Sequence, residues 1–299
     1  MSRVLKVMYH NFLKIIIEYL LKLPKNPITD LVASRLLSYF KQGTIKTRYG
    51  YYIDFRVTNR LPTAIRKSTV LAKREEDYIN ILTELVEHGD YVIDGGAHEG
   101  YISLLMSGLV GNNGMVFSIE PNIENLEYLR RNVELNAIKN ISIIDKAIGD
   151  NVSKATFHYD NDTGAWGSLT HFPHFKTRKE VIVDVDTLDN LFYETGIANK
   201  IKLIKLDTEG NELNALLGGG KLISACKPHI GFEVSLTFWS YQTISVEVMF
   251  DFLREKGYEL FVVKNKKLYP YQWLYQRIIN MVAIHKSRKS DLLNKNIFA

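Results

Sequence analysis

Residues 92–100, VIDGGAHEG, decide the fold of this chain. Two apolar residues, Val92 and Ile93, are followed by the acid Asp94. A loop with three glycines then precedes the helical pattern of residues 101–110. Glycines let the backbone turn sharply and approach a ligand closely, and the start of a helix presents free N–H groups. A strand, a glycine turn and a helix in this order predict an α/β sheet with a ligand-binding turn at its carboxyl edge.

Strands and helices alternate on both sides of this stretch. Apolar runs predict strands at residues 91–94, 115–120, 141–145, 181–185, 201–206, 229–234 and 258–263, an edge strand at 155–159 and a hairpin at 44–57. Apolar periodicity predicts helices at residues 74–87, 121–136, 211–217 and 246–256. Such an alternation favours a mostly parallel sheet that is covered by helices on both faces.

The glycine turn differs from the dinucleotide-binding pattern GxGxxG, because Ala97 stands where the second glycine belongs if Gly95 is the first. The carboxylate of Asp94 repels a pyrophosphate but suits a cation, such as the ammonium or the sulfonium of S-adenosylmethionine. These two features exclude an NAD-dependent dehydrogenase. Besides Asp94, the candidate contacts of a cationic cofactor in this turn are Gly95, Gly96, Ala97, His98 and Gly100.

A second acid, Glu120, ends the next predicted strand, 26 residues after Asp94. A carboxylate at this position accepts both hydroxyls of an adenosine ribose. Pro121 and Asn122 follow it, and Ala147 follows the third strand, where an adenine ring would lie. These three residues complete the candidate cofactor contacts. The alternative for each acid is a charge at the start of a helix or on the surface.

More acids follow the strand at residues 201–206. Asp207 and Glu209 would face the crevice, where they orient a substrate hydroxyl or accept its proton, whereas Glu212 is better explained as a helix cap. Glu233 ends the neighbouring strand on the same side of the sheet. His229 begins that strand and therefore lies at the opposite edge. The candidate catalytic residues are Asp207, Glu209 and Glu233.

These pieces, in this order, resemble the FkbM family of class I S-adenosylmethionine-dependent methyltransferases. The resemblance covers roughly residues 75–265, a stretch of ordinary domain size. It is carried by VIDGGAHEG, SIEPNIENLEYLRRNVELN, DKAIGD, VDVDTLDNL, IKLIKLDTEGNELNALLGGG and PHIGFEV. It implies a Rossmann-like sheet of seven strands, the last one antiparallel, and the transfer of a methyl group, usually to a hydroxyl oxygen of a sugar or a natural product.

The resemblance also implies roles for individual residues. It implies that Asp94, Gly96 and Glu120 contact the cofactor, S-adenosylmethionine. It further implies that Asp207 and Glu209 are active-site acids near the transferred methyl group.

Composition excludes several classes of protein. The 299 residues are 46% hydrophobic, which is enough for a sizeable core, and the single cysteine excludes an internal disulfide framework and a cysteine-based zinc cluster. The net charge of +5 is unevenly distributed: it is +9 over residues 1–80, −11 over 81–263 and +7 over 264–299. Because the middle of the chain is acidic, we expect no nucleic-acid partner.

Residues 1–23 predict an amphipathic helix. Its polar residues recur every four positions and are Lys6, His10, Lys14, Glu18 and Lys22. No uncharged stretch reaches the ~20 residues that span a bilayer. This helix either lies in the plane of a membrane surface or packs on its own domain or on a partner subunit.

Residues 160–180 form the longest irregular stretch. Its polar and aromatic side chains, among them Trp166 and Ser168, either close over a bound ligand or lie on the surface. His171 and His174 with Asp162 match no metal-binding pattern, so no metal site is expected.

The sequence therefore predicts three regions: a helical and hairpin extension at 1–73, a methyltransferase domain at 74–269 and a basic tail at 270–299. The predicted function is O-methylation of a hydroxyl on a glycan or another polyhydroxylated small molecule. We expect a cytoplasmic protein, with a possible peripheral membrane contact through residues 1–23. The alternative is a non-catalytic adaptor at a membrane surface that retains the fold.

Overall fold

The computed structural model describes residues 42–47, 49–56, 73–160, 167–172, 178–241, 244–272 and 278–299. The predicted amphipathic helix at 1–23 lies outside the described residues, and so do Asp162, Trp166 and His174. None of the helices in the described part combines the length and the apolar character that a bilayer crossing requires.

The described chain contains fourteen strands. They are β1 (Gln42–Lys46), β2 (Tyr52–Arg56), β3 (Tyr91–Gly95), β4 (Met115–Ile119), β5 (Ile141–Ile144), β6 (Ala147–Ile148), β7 (Ser153–Asp160), β8 (Gly167–Ser168), β9 (Arg178–Asp186), β10 (Ile201–Leu206), β11 (His229–Ser235), β12 (Tyr258–Lys264), β13 (Lys267–Pro270) and β14 (Ile278–His285). Each strand predicted from the sequence has a counterpart among these.

The α-helices in the same residues are α1 (Lys73–Glu84), α2 (Tyr101–Val110), α3 (Ile123–Leu135), α4 (Glu212–Leu217), α5 (Gly220–Cys226), α6 (Leu236–Trp239) and α7 (Val246–Glu255). A π-helix at Asp189–Tyr193 and short 3-10 helices at Ala198–Lys200, Lys286–Arg288 and Ser290–Lys295 connect other elements. The helix predicted at 121–136 begins later, at Ile123, because the side chain of Asn122 accepts a hydrogen bond from Glu124 N and caps α3.

The main sheet of the described chain has eight strands in the order β13-β12-β14-β11-β10-β3-β4-β5. The strands β5, β4, β3, β10 and β11 are parallel, and β14 runs antiparallel between β11 and β12. The predicted α/β class is confirmed, but the sheet has eight strands rather than seven because β13 folds back on β12 as a hairpin.

The antiparallel strand β14 lies inside residues 270–299, which the sequence analysis assigned to a basic tail. This part of the prediction needs correction, because β14 is an inner strand of the sheet. Ile279, Met281 and Ala283 face one hydrophobic core and Val282 faces the other. β14 was not predicted because the basic residues that flank its apolar run make the average composition of residues 270–299 polar and basic.

Helices cover both faces of this sheet. One core joins α1 and α2 to one face through residues such as Leu82 and Leu105. The other core joins α4, α5 and α7 to the opposite face through residues such as Leu216, Ile223 and Leu253. Polar side chains at the carboxyl edge therefore lie between two well-packed layers, which hold their backbone in place.

A second, four-stranded sheet has the order β6-β9-β7-β8. The strands predicted at 155–159 and 181–185 are its two long members, which pair antiparallel over eight residue pairs. The described end of the predicted 160–180 loop contributes β8 to the same sheet.

Candidate functional site

The glycine turn after β3 is held between the ends of two neighbouring strands. Gly96 N and Ala97 N donate to Ile119 O at 2.9 and 3.0 Å, which ties the turn to β4. Gly96 has a φ of 75°, and a Cβ there would lie 2.0 Å from Asp207 O, next to β10. Only glycine fits this close approach. The turn therefore has little freedom to move away from the acids that follow β10.

Glu120 lies beneath the turn and is almost completely buried. Its carboxylate accepts hydrogen bonds from His98 N (2.8 Å), Asn122 N (3.0 Å) and Asn125 Nδ2 (3.2 Å). Burial raises the pKa of this carboxyl above its ordinary value, against these hydrogen bonds, which lower it. A carboxylate has about four acceptor positions, so one remains for a ligand hydroxyl. This geometry suits one ribose hydroxyl, whereas the sequence predicted that Glu120 accepts both.

Asp94 is completely buried at the end of β3. Ser103 Oγ donates to its Oδ2 at 2.6 Å, and Ser118 Oγ donates to Ser103 Oγ at 2.7 Å. The ammonium of Lys205 lies 3.0 Å from Oδ1. Ser103 and Lys205 therefore hold Asp94 at the base of the site. A direct contact between Asp94 and a cofactor ammonium stays a prediction.

Lys205 is the central residue that the sequence analysis missed. Its side chain is only 4% exposed, and Nζ donates to Gly96 O at 3.0 Å. The same Nζ lies 3.0 Å from Asp94 Oδ1 and 3.7 Å from Asp207 Oδ2. One ammonium thus joins the glycine turn to the acids of β10. The signal was a lysine directly before the last residue of a strand that is otherwise mostly apolar, IKLIKL.

The three candidate catalytic acids come together at the carboxyl edge of the sheet. One carboxylate oxygen each of Asp207, Glu209 and Glu233 lies within 4.8 Å of the others, and all three residues are partly buried. Asp207 follows β10, and Glu233 lies on the adjacent parallel strand β11. Glu209 has a φ of 53°, a strained conformation of the kind that functional sites retain. We call these three residues the acid cluster.

Glu212 holds the turn that carries two of these acids. Its Oε1 accepts hydrogen bonds from Thr208 N (2.9 Å), Thr208 Oγ1 (3.1 Å) and Gly210 N (3.2 Å). Burial raises the pKa of Glu212 to about 7. Glu212, the first residue of α4, is therefore a positioning residue for the turn before the helix. Its predicted role as a helix cap is corrected, because Asn211 holds the N-cap position and Glu212 binds Thr208 and Gly210 instead.

Glu212→Gln should flatten the pH dependence of stability between about pH 4.5 and 7. Because the pKa of Glu212 rises from 4.5 to about 7 on folding, the folded state binds the proton more tightly in this range. The wild-type free energy of unfolding therefore falls as the pH rises through it. At about 1.4 kcal/mol per pKa unit, Glu212 accounts for up to about 3 kcal/mol of this fall.

Urea unfolding at pH 5 and pH 8 measures this effect. The exposed Glu194, which pairs with Lys221 on the surface, supplies the control variant Glu194→Gln, which should keep the wild-type difference between the two pH values. An unchanged difference in Glu212→Gln would contradict the assignment.

Part of the predicted 160–180 loop packs against the acid cluster. Ser168 Oγ donates to Glu209 O at 2.8 Å. Phe172 packs on Phe238 and Tyr241, with ring centroids 4.7 and 5.6 Å away. His171 instead contacts His158 on β7. A cluster of three aromatic rings, of which only that of Tyr241 is exposed, thus packs on the segment that carries Ser168.

Two further predicted contacts of the cofactor lie near the turn. Ala147 begins β6, which pairs with β9, and its side chain packs with Phe157 and Val185 in the core of the second sheet. A contact between its backbone and an adenine ring stays a prediction. Pro121 is half-buried between Glu120 and the cap of α3.

His229 begins β11, at the opposite edge of the sheet from the acid cluster, as the sequence indicated. Burial lowers its pKa to about 4, so the imidazole is neutral near pH 7. It is not part of this site.

The family model described as Methyltransferase FkbM domain matches residues 94–260, more than half of the chain. The chain belongs to the FkbM methyltransferase family. The cofactor of this FkbM methyltransferase is S-adenosylmethionine. Its fold is the Rossmann-like class I arrangement that the resemblance implied.

Solved structures similar to this FkbM methyltransferase come from several bacteria. The FkbM methyltransferase of Methylobacillus flagellatus KT is 18% identical over 74% of this chain, with a TM-score of 0.41, and the match spans 52% of that chain, about half of its length. An S-adenosylmethionine-dependent methyltransferase from Aquifex aeolicus is 14% identical (70% of this chain, 89% of that one, TM-score 0.40). An O-methyltransferase from Thermotoga maritima is 12% identical (85% and 81%, TM-score 0.42). No curated protein matches the chain.

The residues around the turn of this FkbM methyltransferase fit the cofactor. Glu120 keeps one acceptor position, which suits a ribose hydroxyl. Gly96 allows a ligand to approach the backbone of the turn closely. Gly96 and Glu120 are therefore the residues of this chain that would hold it.

Proposed function

We propose that this FkbM methyltransferase methylates a hydroxyl oxygen of a glycan or another polyhydroxylated small molecule. The observation that carries the proposal is the acid cluster, in which three carboxylates from two strand ends lie within 4.8 Å of one another. Lys205 connects this cluster to the glycine turn through contacts of 3.0 and 3.7 Å. The groups that would hold the cofactor and those that would face the acceptor therefore adjoin at the carboxyl edge of the sheet.

The chemistry requires a proton acceptor. When bound, S-adenosylmethionine supplies a methyl group that is attached to a cationic sulfur. The acceptor oxygen would bond to the carbon of this methyl group, and the electron pair of the broken carbon–sulfur bond would stay on sulfur. An alcohol is a weak acid, so a nearby base must take its proton as the new bond forms. A carboxylate of the acid cluster takes this proton, and its neighbours orient the acceptor by accepting hydrogen bonds from other hydroxyls. Lys205 limits the repulsion within the cluster through its contact with Asp207.

The surroundings of the acid cluster support a sugar-like acceptor. Sugars combine hydroxyls with apolar ring faces, and the exposed ring of Tyr241, which packs on Phe172, supplies an aromatic face near the segment that contacts Glu209. Negative charge in the crevice also disfavours a phosphate-rich nucleic-acid partner. A non-catalytic adaptor has no need of three converging carboxylates. Cytoplasmic location and a membrane contact through residues 1–23 stay predictions.

Replacing a single carboxylate of the acid cluster by its neutral amide should lower methyl transfer and leave cofactor binding unchanged. We expect at least one of Asp207→Asn, Glu209→Gln and Glu233→Gln to lower methyl transfer about 100-fold or more, the usual contribution of a general base. Asp184→Asn, on the exposed side of the second sheet, should leave transfer unchanged. The assay uses S-adenosylmethionine with a labelled methyl group and a polar extract of glycans and polyols, followed by mass spectrometry.

Calorimetric titration with S-adenosylhomocysteine accompanies this assay. The proposal is supported if S-adenosylhomocysteine binds both to the wild type and to the variant that loses methyl transfer. The two affinities should lie within a few-fold of each other. A wild-type protein that does not bind S-adenosylhomocysteine would sink it, and so would three variants that all transfer at the wild-type rate.

A further inference from the structure

We infer that Asn280 binds the acceptor oxygen and makes this site select a hydroxyl over an amine. The inference rests on the proposed function and adds to it a residue and a rule of selection. Asn280 lies on β14, the strand that the sequence analysis missed, and neither the family resemblance nor the acid cluster includes it.

Asn280 has a buried donor without a partner. The residue is only 2% exposed, and within the described chain its Nδ2 has no hydrogen-bond partner. A buried polar group left in this state costs about 1–3 kcal/mol of stability, so native proteins rarely retain one without a reason. The expected reason is a ligand atom that accepts the hydrogen bond.

The register of the sheet places this donor beside the acid cluster. Asn280 pairs directly with Glu233 across the antiparallel strands β14 and β11. Residues directly opposite each other in such a pair have their side chains on the same face, with Cβ atoms about 4.5–5.5 Å apart. Glu233 is a member of the acid cluster, so the amide of Asn280 adjoins one of its three carboxylates.

This set of groups matches a hydroxyl. Ionised carboxylates only accept hydrogen bonds, and the Nδ2 of Asn280 only donates them. A hydroxyl donates its proton to a carboxylate and accepts a hydrogen bond from Nδ2. Its oxygen has two lone pairs, so one can accept from Asn280 while the other forms the bond to the methyl carbon, as the proton leaves for the carboxylate.

An amine does not match the same set. As an ammonium it only donates, which leaves Nδ2 unpaired. As a neutral amine it has a single lone pair, and a hydrogen bond from Nδ2 would occupy the pair that must attack. A bare metal ion at the acid cluster would not satisfy Nδ2 either, because it accepts no hydrogen bond. The unpaired donor therefore favours oxygen.

The first test measures the stability of Asn280→Leu, which replaces the unpaired amide by an apolar group of similar size. Because the amide has no partner to lose, the melting temperature should stay the same or rise. Asn132→Leu is the matched contrast, since Asn132 is equally buried but binds Asp54 N and Glu99 O at 2.7 Å each. That variant should melt at a lower temperature. A fall in Asn280→Leu as large as in Asn132→Leu would overturn the inference.

The second test measures transfer with matched acceptors. Full-length protein and cofactor with a ¹³C-labelled methyl group are incubated with neutral methyl glycosides and with their amino-sugar counterparts, and ¹³C NMR separates methyl ethers from methylamines. We expect ethers from both sets and no methylamine. Asn280→Leu should lower ether formation about 10-fold or more, the equivalent of one hydrogen bond to the acceptor. Its affinity for S-adenosylhomocysteine should stay within a few-fold of the wild type.

The outcomes separate this inference from the proposed function. Methylamine formed in amounts that match the ether would overturn the role of Asn280 and leave a methyltransferase in place. An unchanged rate of ether formation in Asn280→Leu would also overturn the role of Asn280 and leave a methyltransferase in place. Binding of S-adenosylhomocysteine without transfer to any glycoside would count against the proposed acceptor class, and the melting comparison would then decide on Asn280.

Discussion

Lys205→Met is expected to lower the free energy of unfolding by about 3–5 kcal/mol, the usual cost of leaving a buried charge without its partner. Asp94 is completely buried, and the ammonium of Lys205 at 3.0 Å faces one of its two oxygens. Methionine fills a similar volume but leaves that oxygen without a cation and Gly96 O without its donor. Because both groups shape the glycine turn, binding of S-adenosylhomocysteine should also be lost. Urea unfolding and calorimetric titration measure the two effects.

A double variant separates charge pairing from packing in this experiment. Asp94→Asn combined with Lys205→Met removes both charges and keeps an acceptor for Ser103 Oγ. Replacing both members of a buried ion pair is often close to neutral for stability. The double variant should therefore recover most of the loss. If Lys205→Met unfolds at the wild-type urea concentration, Lys205 does not stabilise Asp94 and the central role given to it here is wrong.

Gly96→Ala is expected to lower the affinity for S-adenosylhomocysteine about 10-fold or more, the equivalent of losing one hydrogen bond between the turn and the ligand. The added Cβ would lie 2.0 Å from Asp207 O, which is a backbone atom with no flexible side chain to yield. The turn must therefore move away from β10 and lose its present alignment with Lys205. The φ of 75° adds about 1–2 kcal/mol of strain for a residue with a Cβ.

Gly196→Ala is the matched control for backbone strain. Gly196 has a φ of 78°, close to that of Gly96, but a Cβ there would meet nothing within 4 Å. This variant should lose about 1–2 kcal/mol of stability and bind S-adenosylhomocysteine like the wild type. Equal affinities in the two variants would show that the close approach between Gly96 and Asp207 does not shape the cofactor site.

The acids of the site could be predicted because their positions follow from local patterns. Asp94, Glu120 and Asp207 each come directly after an apolar run, and the carboxyl ends of parallel strands share one edge of a sheet. The convergence of Asp207 with Glu233 follows from the same rule, because β10 and β11 are neighbours. Order along the chain was sufficient to place them together.

The state of each side chain within the site could not be predicted in this way. The sequence predicts that the carboxylate of Asp94 is accessible to a ligand, whereas in the fold Ser103 donates a hydrogen bond to it and the ammonium of Lys205 lies beside it. Ala147 reads as a loop residue beside a ligand, whereas in the fold it belongs to the core of a second sheet. The contact of Lys205 with Asp94 and the pairing of β6 with β9 join strands that are distant in the sequence, and composition and periodicity do not reveal such pairings.

Local sequence pattern alone established the alternation of strands and helices, the glycine turn and the edge at which the acids gather, because hydrophobic periodicity and turn chemistry act over a few residues. Tertiary structure decided that β14 enters the sheet between β11 and β12, and with it the position of Asn280 opposite Glu233. It also decided that one buried ammonium joins Asp94, Gly96 and Asp207. These features arise from contacts between segments far apart in the chain, whose free energy exists only once the whole sheet has formed.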